Sequence, residues 1–260
     1  MRNFADVAIR MQQSFNDIEL LFPAAIDWED WRRRQKPCEP FSDSVIAFLN
    51  ALSVSLMKDT NSRTYPDVVT FAFFCRKHQL LTLKHQYQTD ELRLGRGTVF
   101  HVAPSNVPVN FAYSLIAGLL SGNNNIVRVS SKEFPQVDLI VKHLYELSKN
   151  EEFSGIIHRI VLIRYDRNSN ATGYFSSFCN VRVIWGGNET ITQIRRNPLP
   201  SRSFDVTFAD RYSLAVINAD VLIQETNLQK IAEGFYNDTY FFDQNACSAP
   251  HLIIWTGDTA

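Results

Sequence analysis

The chain predicts an α/β fold with a doubly wound, mostly parallel sheet, entered through a helical N-terminal segment. Two observations carry that prediction. From about residue 98 onward, short β-branched apolar runs alternate with runs of helical period, and the connections between them reach about a dozen residues or more, the length a parallel crossover needs. Before residue 90 the apolar residues recur at helical spacing.

The elements follow in order. Residues 1 to about 90 read as mainly helical. Ser42-Asp43 opens the run Val45–Leu49, which continues through Leu52 and Leu56 at helical spacing. Pro66, at a first helical position, leads Val68, Val69, Phe71, Ala72 and Phe73 into a second apolar helix. Thr98–Ala103 reads as a buried strand, and Phe111 to Ser121 as a helix stopped by Gly122. A strand at Ile126–Val129, a helix from about Gln136 to Lys149 and a strand at Arg159–Ile163 come next. A short helix at Ala171 to Phe178 precedes the strand Val181–Trp185, which Gly186-Gly187 closes. After Ser203 the pattern gives strands at 204–209 and 213–218, a helix near 227–241, a polar loop holding Cys247, and a strand at His251–Trp255. There is no internal repeat or low-complexity stretch.

Bulk composition excludes several functions. With 260 residues, 45% of them hydrophobic, the chain has material for one large domain or two small ones. A formal charge of −1 gives no electrostatic case for binding nucleic acid, and Arg32-Arg33-Arg34 reads as a solvated helix face. The cysteines at 38, 75, 179 and 247 have no CxxC or zinc spacing, which points to reduced thiols, and the histidines form no HxxxH pair, so no metal is expected. An 18-residue apolar run and a cleavable signal are both absent from the sequence, which predicts a cytoplasmic protein with no membrane span.

Ligands of such sheets sit outside the carboxyl ends of the strands, and three predicted strand ends carry unusual residues. Ala103-Pro-Ser-Asn-Val-Pro108 brackets Asn106 between prolines that stiffen the loop, so its amide can donate to a developing oxyanion. By itself such a segment is more often a turn with a capping Ser or Asn. Arg128-Val-Ser130-Ser131 sets a guanidinium beside hydroxyls, suited to a phosphate or ribose, or to an ordinary strand-end cap. At Trp185-Gly186-Gly187 the glycines let a cofactor approach the backbone closely, although no GxGxxG is present. Cys247 stands among Asp243, Gln244, Asn245 and Ser248, which argues for an accessible thiol. The other three cysteines read as small buried hydrophobes.

Taken together, four segments resemble the aldehyde dehydrogenase superfamily, and more narrowly its LuxC-type acyl-CoA reductases, the reductase component of bacterial bioluminescence. They are Gly95–Pro108, Ser121–Ser131, Phe208–Val216 and Asp243–Pro250, in the family's order and from about Gly95 onward. The resemblance implies an aldehyde-dehydrogenase-like fold with a helical segment over 1–90, a dinucleotide-binding domain over 91–212 and the start of a catalytic domain over 213–260. It implies that Cys247 is the nucleophile and that Asn106 donates to the oxyanion. Ala103, Pro104 and Ser105 would line the nicotinamide side. Arg128, with Ser130, falls beside the adenosine ribose, where arginine leans toward NADPH, and Gly186-Gly187 falls beside the pyrophosphate.

Aldehyde-oxidising members place a glutamate base where this chain reads Phe208-Ala-Asp-Arg211. Its absence favours acyl reduction, which needs no hydrolytic water. The implied substrate is acyl-CoA or another acyl thioester. The superfamily extends well beyond the nucleophile, so an incomplete catalytic domain is expected here, as a fragment or a truncated product. In the full-length protein a homo-oligomer or an acyl-transfer partner is expected. A non-catalytic nucleotide-binding module and an aldehyde-oxidising enzyme are the alternative readings.

Overall fold

A computed structural model describes residues 17–87, 89–240, 244 and 246–258. The chain divides into two compact units, with the break between Phe208 and Ala209.

The first unit is built on a six-stranded sheet: β1 (Glu19–Phe22), β2 (Thr98–Val102), β3 (Asn124–Arg128), β4 (Ile160–Arg164), β5 (Val181–Trp185) and β6 (Phe204–Phe208). Their spatial order is β1-β4-β3-β2-β5-β6. All neighbours from β4 to β6 are parallel, and β1 alone pairs antiparallel, on β4. The alternation after residue 98 thus produces the mixed α/β architecture with a mostly parallel sheet. The helical expectation for the first 90 residues missed β1, whose four residues ELLF become a strand by pairing with β4.

The helices are α1 (Trp28–Arg34), α2 (Asp43–Lys58), α3 (Pro66–Phe74), α4 (Lys77–Tyr87), α5 (Asn110–Leu120), α6 (Pro135–Leu147), α7 (Ser154–Ile157), α8 (Ala171–Ser176) and α9 (Asn188–Arg195). Asp27 caps α1 by accepting from the Glu29 and Asp30 amides at 3.0 and 3.1 Å. Arg34 pairs with Asp30 one turn back, and Arg32 lies over the Phe178 ring. Gly122 follows α5 at φ +78°, the left-handed stop its position in the sequence implies.

Strand alternation explains why both faces of the sheet are covered. Val127, Ile160 and Leu162 face a core shared with Val45, Phe48, Leu49 and Leu52 of α2 and with Leu115 and Leu119 of α5. Their neighbours Ile126, Val161 and Ile163 face a second core with Phe100, Phe175 and Trp31. Each fully buried Leu, Ile or Phe in these layers stabilises the fold by about 1.5–3 kcal/mol.

The second unit pairs β7 (Ser213–Asn218) with β8 (Pro250–Thr256) in a parallel ladder, with α10 (Ala219–Leu222) and α11 (Leu228–Tyr240) between them. The two strands expected in succession after Ser203 therefore belong to different sheets. Leu214, Val216, Ile254 and Trp255 are exposed on this ladder.

Candidate active site

The sheet reverses direction of growth at β2. From it the chain proceeds outward to β3 and β4 on one side, then returns to build β5 and β6 on the other. The crevice of such a sheet opens at that switch, between the carboxyl ends of β2 and β5. The sequence-predicted residues of this unit all lie on that edge. Ala103–Asn106 begin the loop from β2 to α5, Arg128 ends β3 with Ser130 just beyond it, and Gly186-Gly187 end β5.

In the β2 loop Ala103 is buried, Pro104 half-buried, and Ser105 and Asn106 exposed. The Ala103 amide donates to the Arg128 carbonyl at 3.1 Å, tying this loop to the neighbouring strand end. At the first position of α5 the Asn110 Oδ1 is buried and has no hydrogen-bond partner among the described residues.

Arg128 lies half-buried, with its guanidinium 4.8 Å from the centre of the Tyr165 ring and Nη2 donating to the Tyr165 carbonyl at 3.2 Å. Its Nε is buried with no hydrogen-bond partner among the described residues. Burial lowers its pKa, and the nearby Arg167 pulls the same way while Tyr165 and Asp166 oppose. A desolvated guanidinium with an unspent donor has capacity for an anionic oxygen. Ser130 is buried, and its hydroxyl accepts from the Lys132 amide at 3.0 Å.

Gly186 has a packing reason of its own. A Cβ there would lie 3.1 Å from Thr190 Cγ2 in the first turn of α9, so a side chain would push strand end and helix apart. Gly187 precedes α9, and no side chain caps that helix start. Trp185 stacks on Phe208 of β6, with ring centres 3.8 Å apart and planes 8° from parallel.

Cys247 belongs to the second unit. It is exposed, on the turn before β8, and its carbonyl accepts from the Ser213 hydroxyl at 2.7 Å. Asp243 and Asn245 lie outside the described residues. Cys75 and Cys179 are buried, and burial pushes both thiols up, Cys179 to about 12, so neither supplies a thiolate near neutral pH. Cys38, expected to be buried, is half-buried. Among the described residues no group of three or more His, Cys, Asp or Glu is placed to hold a metal, and no helix is long and apolar enough to cross a membrane.

The residues that sequence reasoning missed lie behind the crevice. His101, Ser114 and Asn125 are buried, His101 is hydrogen-bonded to both of the others, and the Trp185 indole donates to Ser114. The signal available was a histidine in an otherwise apolar strand and the run Asn123-Asn124-Asn125 opening another.

A family model described as acyl-CoA reductase (LuxC) matches residues 18–260. A long-chain acyl-protein thioester reductase of Vibrio harveyi is 24% identical over 163 residues, which cover 63% of this chain and 33% of that protein. A reductase of the same description from Aliivibrio fischeri is 22% identical, again over 63% of this chain and 33% of that one. The chain therefore spans about a third of the length of the curated relatives it matches. Among solved structures, betaine aldehyde dehydrogenase from Staphylococcus aureus in complex with NAD+ superposes with a TM-score of 0.58 at 15% identity, over 88% of this chain and 47% of that one. Likenesses at that identity establish an aldehyde-dehydrogenase-like fold.

Proposed function

Because the chain belongs to the acyl-CoA reductase (LuxC) family, we propose that it carries the dinucleotide site and the nucleophile of an oxidoreductase that reduces a long-chain acyl thioester to the aldehyde with NADPH. In this reading residues 91–212 bind the dinucleotide and residues 213–260 begin the catalytic domain. The observation that carries it is the gathering of the β2 loop, Arg128 and Gly186-Gly187 on one sheet edge around the switch point, with a buried guanidinium nitrogen unspent beside them.

The residues present fit such a cofactor. Arg128 and Ser130 would hold the adenosine ribose and its 2′-phosphate, since among the described residues the guanidinium has an open donor and no acidic side chain bonded to it. The uncapped start of α9 would offer backbone amides to the pyrophosphate, and Gly186-Gly187, whose first amide is bonded to the Phe208 carbonyl at 3.1 Å, would leave room for it beside the strand end. Ala103, Pro104 and Ser105 would flank the nicotinamide. When bound, the cofactor supplies a hydride.

The chemistry assigned to the chain's own residues is two-step. Cys247 gives up its thiol proton and the thiolate attacks the acyl carbonyl; a C–S bond forms to Cys247 as the bond from the acyl carbon to the donor sulfur breaks, and the donor leaves as a thiol by taking up that proton. Addition of hydride and a proton to the S-acyl group then releases aldehyde and regenerates the Cys247 thiol. The Asn106 amide would donate to the oxyanion formed in each step. Phe208-Ala-Asp-Arg211 provides no glutamate at the position of the oxidising enzymes' base, which protects the acyl-enzyme from hydrolysis. The relatives' description makes a protein-bound thioester a donor to test beside acyl-CoA.

Arg128→Met tests the cofactor half of this reading. We expect NADPH binding, followed by fluorescence titration, to weaken by about ten- to a hundredfold, as for loss of charge-assisted hydrogen bonds, with NADH binding changed little. Equal weakening of both, or of neither, would remove Arg128 from the 2′-phosphate. Dinucleotide binding by a chain that never acylates would favour a nucleotide-binding module instead.

A further inference from the structure

Behind the crevice runs a buried chain of hydrogen bonds whose direction is fixed at both ends. The Trp185 Nε1–H can only donate, and it reaches Ser114 Oγ at 3.1 Å. Ser114 Oγ lies 2.8 Å from His101 Nδ1, and His101 Nε2 lies 3.1 Å from Asn125 Oδ1. Asn125 spends its amide nitrogen on the Asn123 carbonyl at 3.0 Å, so its Oδ1 accepts. His101 must then carry its proton on Nε2 and accept at Nδ1 from the Ser114 hydroxyl, whose oxygen accepts from the indole. A neutral imidazole in one tautomer satisfies every group, and burial holds His101 in that form by lowering its pKa to about 4.

The packing is built around this chain. A Cβ on Gly118 would fall well inside contact distance of Asn125 Oδ1 and would meet His101 Nε2 at 3.0 Å, so α5 approaches β2 and β3 this closely only with glycine there. The indole is fixed twice, at its edge by Ser114 and on its face by Phe208. Ser114 lies on α5, the helix that follows the β2 loop, and Trp185 ends β5. The bond between them therefore joins the two walls of the switch-point crevice.

We propose that Ser114 and His101 are positioning residues, holding the Trp185 indole as a fixed aromatic wall beside Gly186-Gly187 against which the nicotinamide dinucleotide is received. This rests on the cofactor reading above. It adds a specific consequence: freeing the indole weakens dinucleotide binding although neither Ser114 nor His101 touches the ligand.

Indole-15N-labelled protein tests both parts. Trp185→Phe identifies the Trp185 signal among those of the four tryptophans. Its N–H is expected to exchange slowly in ligand-free protein, and Ser114→Ala to speed that exchange at least about tenfold while the other indoles stay as they were. The same variant should bind NADPH about fivefold more weakly. His101→Gln, whose amide can donate to Asn125 and accept from Ser114, should restore most of both properties relative to His101→Leu. If the alanine variant does not fold, Ser114→Cys keeps the volume, weakens the acceptor and carries the same expectations. Unchanged indole exchange in a folded Ser114 variant would refute the hydrogen-bond chain. A freed indole with undiminished NADPH affinity would refute the positioning role. A wild-type chain that protects the indole but binds neither NADPH nor NADH would overturn the cofactor reading itself.

Discussion

Arg182 and Asp205 lock β5 to β6 and thereby set the strand end that carries Trp185 and Gly186. Arg182 is 1% exposed, and its Nε and Nη2 reach the two Asp205 oxygens at 2.7 and 3.2 Å. Its Nη1 donates to Ser176 Oγ and to the Asn197 carbonyl at 2.8 and 2.9 Å. Asp205→Ala would leave a buried guanidinium with those two nitrogens unpaired. The desolvation that the carboxylate now offsets would stand alone, at a cost of about 3–5 kcal/mol. Arg195 touches the same carboxylate at 3.2 Å but is half exposed, so Arg195→Ala should cost no more than about 1 kcal/mol. Removing both charges in Arg182→Met/Asp205→Leu should cost less than Asp205→Ala alone, because no unpaired charge remains buried. Equilibrium urea unfolding followed by tryptophan fluorescence reads all three. A loss below about 1 kcal/mol in Asp205→Ala at unchanged m would refute the assignment of this pair as the β5–β6 lock.

Two further outcomes follow from the buried polar chain. His101 titrates near 6.5 when unfolded and near 4 when folded, so the unfolded state binds the proton first as pH falls. Stability should be flat above 6.5, decline between 6.5 and 4 by up to about 1.4 kcal/mol per pH unit, and lose that dependence in His101→Gln. Asp59 acts in a separate window. Its hydrogen bond from Lys142 lowers its pKa from 3.8 to about 2, so its contribution is complete above 3.8 and is lost only below it. A pH dependence surviving intact in His101→Gln would contradict the first assignment. Gly118→Ala should destabilise by about 1–3 kcal/mol in thermal melts, because the new methyl collides with Asn125 and His101. An unchanged melting temperature would contradict the close approach of α5.

What was legible in the sequence was what local pattern determines. Val127 and Leu162 face one core while Ile126 and Val161 face the other, so the β3 and β4 runs read as continuous apolar strands buried on both faces. Pro66 and Gly122 marked helix ends because their backbone requirements are intrinsic. Cys247 was readable as exposed from its polar flanks, and it is exposed.

What was not legible depends on partners distant in the chain. Glu19–Phe22 becomes a strand only by pairing with Arg164, Ile163 and Leu162. Arg128 reads in isolation either as a phosphate or ribose contact or as part of an ordinary strand-end cap, and its packing against the Tyr165 segment beyond β4 shows only in the fold. His101 sits in a plain apolar strand, and its role appears only once α5, β3 and β5 bring Ser114, Asn125 and Trp185 around it. In the sequence Gly186 marks a place for a cofactor to approach, and Thr190 gives it a packing reason as well.

The central claim is an acyl-enzyme on Cys247 that hydride resolves to an aldehyde. Incubation with a long-chain acyl-CoA, and separately with an acyl-protein thioester, should add one acyl mass to the chain, mapped by peptide mass spectrometry to Cys247 and absent in Cys247→Ala. Adding NADPH to the isolated acyl-enzyme should then remove the acyl group and release fatty aldehyde in equal amount. Acylation undiminished in Cys247→Ala, or release of the acyl group as free acid with NADPH left unoxidised, would contradict the account.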